Sequence, residues 1–269
     1  MTQPRGEADA GGASGSGLNR TPAVTRSSPH AATLDDMLRN SLWAKALTGY
    51  EFERVSKEAF ERRVPAGGLL FRSGDPAEFW VGVIEGLVKM SVSSPDGRVS
   101  TFTGVTAGGW AGEGTLLKSG PWRYDAVTVR DTRFACVPRT TFERLAGSSL
   151  PFNQFLLSHL NARLSLFISL VEYDRLLGPE ARVARCLASL FDPDLYPRTE
   201  PFLQLTQDEI GLLSAVSRQR ANEALHALEK AGLLKVEFGG VSILDLKRLR
   251  SYFPVEETRH VLKPRASSV

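Results

Sequence analysis

Cysteine is scarce in this 269-residue chain, present only as Cys136 and Cys186. Two thiols cannot build a disulfide framework, a four-cysteine zinc site or an iron–sulfur cluster supplied by one chain. Both stand in apolar stretches, as buried thiols in a reducing cytoplasm would. Histidine is scarce too, confined to His30, His159, His226 and His260. None lies in the β-rich stretch from Arg63 to Arg139, which excludes a metal-dependent barrel enzyme whose histidines line the barrel. No apolar run approaches bilayer length, and the opening MTQPRGEADAGGASGSG lacks the apolar core of a signal peptide. A cytoplasmic location with no membrane partner is therefore expected. Neither sign of charge dominates: 33 Lys and Arg against 30 Asp and Glu leave a net charge of +3. That balance permits nucleic-acid binding without demanding it.

What is present suggests an α+β chain of two domains and two tails. Residues 1–32, rich in Gly, Ser, Ala, Thr and Pro, predict a disordered tail. Across 33–150 the short runs GLLF, FWVGVIEG, LVKMSV, VSTFTGV, DAVTV and TRFACV alternate with glycine- and proline-bearing turns. That alternation predicts an antiparallel β-roll or jelly-roll barrel. Within it, Gly112 and Gly114 bracket Glu113 and can turn backbone N–H groups toward an anion, while Arg123 offers a fork that matches a phosphate. On the residues alone, a phosphate pocket and a surface loop with an ion pair both remain open.

From 151 to 177 the pattern becomes helical. Leu157, Leu160, Leu164, Phe167 and Val171 follow the 3-4 spacing of a coiled-coil seam. A second stripe, Leu156, Leu166, Leu170 and Leu177, lies on another face. Two apolar stripes need two covers, here the chain's own barrel and the identical helix of a homodimer partner. Gly178-Pro179 ends this helix and starts the next.

Residues 178–253 carry the most informative stretch, LTQDEIGLLSAVSRQRANEALHALEKAGL. Thr206 and Glu209 form a capping box, Ser217 caps a second helix, and Gly232 closes it. Two β-prone runs joined at Gly239-Gly240 follow, so the order describes a winged helix-turn-helix, with a tail from 254 to 269. At the start of the second helix, Arg218, Gln219, Asn222 and Glu223 have the groups that read base edges in double-stranded DNA. Ser217 and Arg220 suit phosphates. No nucleophile, metal set or carboxylate pair accompanies Glu113 and Arg123, so no enzymatic activity is expected.

Barrel, long helix and winged helix-turn-helix, in this order, resemble the Crp/Fnr superfamily of bacterial transcription regulators from about Leu42 to Tyr252. The spacing of Gly112, Glu113 and Arg123 and the LTQDEIG…VSRQR…L..LE pattern carry the likeness. The resemblance implies a dimer on a palindromic operator, with RNA polymerase as a partner. It also implies a ligand site in which Glu113 holds a ribose hydroxyl and Arg123 a cyclic phosphate. Tyr124 and Asp125 replace the small residues that follow the arginine in cyclic-AMP binders, and Asp125 is expected to repel the phosphate. Phe167 and Ile168 fall where polar residues meet adenine, with Ser165 and Ser169 nearby as substitutes. The effector is thus expected to be a cyclic nucleotide or dinucleotide (cyclic AMP, cyclic GMP, cyclic di-GMP), or absent altogether. A sensing module acting on a protein partner is the other reading. Ala215 stands where the turn usually has glycine, which implies strain if that turn needs positive φ.

Overall fold

The computed structural model describes residues 32–197 and 199–253. Apart from Ala32, the tails expected at 1–32 and 254–269 lie outside the described residues. Three short helices absent from the sequence reading come first: α1 (Leu34–Asn40), α2 (Leu42–Lys45) and α3 (Gly49–Glu58). Reciprocal capping boxes start α1 at Thr33/Asp36 and α3 at Thr48/Glu51.

The barrel is two antiparallel sheets. Strands β1 (Phe60–Val64), β8 (Thr132–Pro138), β3 (Phe79–Glu85) and β6 (Trp110–Ala111) form one; β2 (Leu69–Phe71), β7 (Asp125–Thr128), β4 (Leu87–Ser93) and β5 (Val99–Thr106) form the other. Helix α4 (Glu113–Leu117) interrupts the barrel before β7, and α5 (Arg139–Ser148) leaves it. The six strand-forming runs identified from sequence are all strands; they missed β1, whose FERRV carries too many charges to register, and the two-residue β6.

Helix α6 (Leu150–Leu176) is 27 residues long. It is held to the barrel by an aromatic cluster in which Trp80 meets Trp110 at 4.4 Å, Trp43 at 5.4 Å and Phe152 at 5.8 Å. Phe152, Leu156 and Leu166 are buried, whereas Leu157 (70% exposed), Leu164 (58%) and Val171 (52%) are not. The two stripes therefore face different ways. By length and composition α6 is also apolar enough to cross a bilayer, contrary to the expectation from unbroken runs. Its apolar residues are separated by Ser, Asn and His rather than by many charges, so counting runs overlooked it. Its packing on the barrel gives one face another use.

Helix α7 (Pro179–Ser189) starts at the expected proline. Then come β9 (Phe202–Leu203), α8 (Gln207–Ser214), α9 (Arg218–Lys230), β10 (Leu234–Glu237), β11 (Gly240–Ile243) and α10 (Leu246–Arg250). The three strands form an antiparallel sheet in the order β10-β11-β9. The wing turns at Phe238-Gly239 rather than at Gly239-Gly240: Gly239 takes φ +80°, while Gly240 already pairs with Glu237.

Candidate functional site

Two sites emerge, one on the helix pair α8–α9 and one between barrel and α6. In the first, the Thr206 side chain accepts from Glu209 N, and the Glu209 carboxylate accepts from Thr206 N at 2.7 Å. The chain then turns through Ala215 at φ +53°, the left-handed conformation the sequence implied. Ser217 caps α9 by accepting from Arg220 N at 3.3 Å. Behind that cap Ala221, Leu225 and Leu228 are fully buried with Ile210 of α8. In front of it Ser217, Arg218, Gln219, Arg220 and Glu223 are exposed.

The buried stripe thus fixes the helix while its polar first turns project. Arg218 pairs loosely with Asp208 at 3.2 Å, both side chains well exposed, and Gln219 Nε2 donates to Glu223 Oε1 at 2.9 Å. Such exposed pairs hold weakly and are readily exchanged. Asn222 differs from expectation: it is half-buried, and its amide oxygen accepts from Gln207 Nε2 at 2.9 Å. That oxygen joins α9 to α8, so Asn222 braces the pair. Phe238 lies fully exposed at the wing tip.

The second site is a cavity of about 620 Å³ walled by Met90, Phe102 and Tyr124 of the barrel, by the Ala111–Thr115 corner, and by Leu160, Arg163, Leu164 and Phe167 of α6. Gly112 turns the corner at φ +104°, which a residue with a Cβ would adopt only under strain. Arg123 and Lys118, both exposed, also line it. All five residues expected to bind ligand, Gly112, Glu113, Arg123, Tyr124 and Phe167, border this one space.

Sequence reasoning missed its polar floor. Glu113, only 4% exposed, faces two basic side chains of α6: its Oε1 lies 3.6 Å from His159 Nε2 and 3.7 Å from Arg163 Nε. Both distances exceed a hydrogen bond. Arg163 Nη2 donates to the Trp110 carbonyl at 2.6 Å, and His159 Nδ1 stands 3.1 Å from the Asp194 carbonyl. Glu113 Oε2 and Arg163 Nη1 are buried with no well-formed hydrogen bond. Leaving such groups unmet costs about 1–3 kcal/mol each, so a polar ligand reaching this floor would be favoured. Burial holds His159 below its ordinary value, against the pull of Glu113. Burial, and then Glu113, push the Tyr124 phenol up. The available signal was a pair of basic residues four apart, His159 and Arg163, in a helix with no other charged residue before Glu172.

Two further expectations are corrected. Asp125 does not approach the cavity; its Oδ1 accepts from Ser73 N at 2.9 Å and closes a turn on the barrel. Tyr124, just before β7, lines the space, whereas Asp125, the first residue of β7, does not. Ser165 and Ser169 line a different cleft of the chain, with Arg185 and Arg250, and do not border this cavity. Cys136 and Cys186 are buried, their thiols pushed up by burial to about 11 and about 12.

The cyclic nucleotide-binding domain family matches residues 61–149, and the Crp-like helix-turn-helix domain family matches residues 181–252. The chain is 30% identical to the cyclic AMP receptor protein of Thermus thermophilus, over 69% of this chain and 85% of that protein. It is 28% identical to the CRP-like cAMP-activated global transcriptional regulator of Mycobacterium tuberculosis, over 69% of this chain and 84% of that one. The solved structure of the c-di-GMP responsive global regulator CLP from Xanthomonas campestris superposes with a TM-score of 0.51 at 25% identity, covering 73% of this chain and 99% of its own. With a cyclic nucleotide-binding domain in front, a Crp-like helix-turn-helix behind and regulators for relatives, the chain belongs to the Crp/Fnr family of DNA-binding transcription regulators.

Proposed function

We propose that the protein acts in the cytoplasm as a homodimer that reads a palindromic operator with α9 and answers to a cyclic nucleotide or cyclic dinucleotide in the barrel cavity. The observation that carries the DNA half is the projecting end of α9, with Ser217 to Arg220 exposed over a fully buried rear stripe. Arg218, Gln219 and Glu223 are assigned to base edges, and Ser217 and Arg220 to phosphates. Asn222 supports them from behind through Gln207. The exposed α6 residues Leu157, Leu164 and Val171, with half-buried Leu160 and Phe167, are the dimer seam. Two reading heads related by a two-fold axis then meet successive major grooves ~34 Å apart. RNA polymerase is the partner through which transcription would respond. Nothing in this reading calls for a catalytic step.

The effector half rests on Glu113 Oε2 and Arg163 Nη1 at the cavity floor. A ribose hydroxyl can donate to the carboxylate, and a phosphate can accept from Arg123. The base would lie among Phe102, Tyr124, Leu160, Leu164 and Phe167, which offer contact area rather than a hydrogen-bond code. Relatives named as cAMP-activated and as c-di-GMP responsive bracket the effector class. Selection of bound fragments from random duplex DNA, with and without cyclic AMP, cyclic GMP and cyclic di-GMP, tests both halves. A recovered palindrome is expected; failure to recover any preferred sequence would remove the reading. A regulator needing no effector is the second reading, favoured by Arg163 already standing opposite Glu113. Firm operator binding with flat melting curves across the three nucleotides would select it.

A further inference from the structure

The loop between α7 and β9, part of the DNA-binding half, reaches back to the floor of the effector cavity. The Asp194 carbonyl stands 3.1 Å from His159 Nδ1, and the Tyr196 hydroxyl donates to the Gly104 carbonyl of β5 at 2.9 Å. Tyr196 is 3% exposed, and its ring lies against Gly109, next to Trp110, whose carbonyl accepts from Arg163 Nη2 at 2.6 Å. Arg163 therefore faces Glu113 and the cavity while holding the backbone on which a residue of the reading half packs. Beside this contact, Leu213 of α8 sits on Gly104 so closely that a Cβ there would run into it. Arg130 of the barrel adds a hydrogen bond to the Gln204 carbonyl at 2.7 Å and lies 3.5 Å from Glu209, the capping residue of α8.

We propose that Tyr196 is a positioning residue that ties the cavity floor to the docking of α8 on β5, so that an effector engaging Arg163 changes the hold of the barrel on the reading head. The proposal rests on the DNA-binding and effector-cavity readings above. The route from Arg163 through the Trp110 carbonyl and Gly109 to the Tyr196 ring is short and buried, which distinguishes it from a signal passed only along α6. It also explains why a tyrosine sits in a connecting loop with its ring pressed against Gly109 and its hydroxyl inside the protein.

The test uses the full-length, effector-free protein and two variants that break the docking in different places. Tyr196→Phe keeps the ring and removes the hydroxyl; Arg130→Gln removes the partly exposed contact to Gln204 and Glu209. Hydrogen exchange in Gln207–Ser214 and Val99–Thr106 is expected to quicken at least about threefold in both. Operator affinity at 25 °C, well below melting, is expected to move by at least about threefold and in the same direction in both, which lowered stability alone would not produce. Exposed Tyr50→Phe serves as the control and should change neither. Unchanged exchange in both variants, or operator affinities that move in opposite directions, overturns the proposal. Should the wild-type protein bind no selected duplex, the DNA-binding reading falls, and the exchange measurement still decides the docking.

Discussion

Ala215 carries a cost that can be measured. Its φ of +53° puts a Cβ in the left-handed region, at about 1–2 kcal/mol. Ala215→Gly would relieve that strain but restore about 0.4–1 kcal/mol of unfolded-chain entropy. A net gain of about 0–1.6 kcal/mol is expected, read by calorimetry as roughly 2–4 °C in Tm for each kcal/mol. Two of the titrating groups that bear on the acid side of stability are His159 and Glu61. His159 is held below its ordinary value of 6.5 by burial. The unfolded chain therefore takes up the proton first, and this contribution, complete above 6.5, is lost as pH falls toward the folded value. Glu61, hydrogen-bonded to Arg133, is lowered to about 2 from 4.5. Its contribution is present above 4.5 and disappears between 4.5 and 2. Urea midpoints against pH should decline in those two windows, and His159→Gln should flatten the first. On the reading helix, Arg218→Ala is expected to cost about 1–3 kcal/mol and relax one base position, whereas Arg220→Ala should weaken all duplexes alike and reduce the salt slope by about one. Gel shifts at several salt concentrations separate the two.

At the scale of elements, α6 shows how far spacing alone can be trusted. Its 3-4 pattern separated an exposed stripe from a buried one, and the structure keeps them apart: Leu164 is 58% exposed and Leu156 3%. Leu164→Glu would place two charges in the proposed seam. It should weaken self-association at least tenfold, about 1.4 kcal/mol, as read by sedimentation equilibrium. Loss of high-affinity operator binding should follow, since each head alone reads one half-site. The helix-turn-helix was equally legible because both caps, the turn and the rear stripe are local signals. Strand β1, charged on its exposed face, and α1–α3, too short for periodicity, were not. Their formation depends on partners distant in the chain, such as β8 for β1.

For the whole molecule, the decisive arrangement is that one cavity touches barrel and α6, while the Trp110 carbonyl held by Arg163 adjoins Gly109, on which Tyr196 of the reading half packs. The apolar base-facing wall bears on selectivity. With Phe167 in place of a donor or acceptor, cyclic AMP and cyclic GMP should bind within about 10–200-fold of each other, the range of discrimination open to apolar contacts. Glu113→Gln and Arg123→Ala should each weaken both. Isothermal titration provides the check, and a preference beyond that range would show that a polar base contact exists elsewhere.

Caps, glycine turns, strand alternation and the two stripes of α6 were written in neighbouring residues, and so were the order of domains and the projecting end of α9. Local sterics and hydrogen bonds decide such features within a few residues of where they occur. The folded chain alone decided that Glu113 meets His159 and Arg163, that Asp125 turns away to Ser73, that Asn222 braces Gln207, and that Tyr196 reaches the Gly104 carbonyl of the barrel. Each joins side chains brought together only when separate elements pack, and burial in that packing is what makes an unmet carboxylate or guanidinium costly enough to call for a ligand.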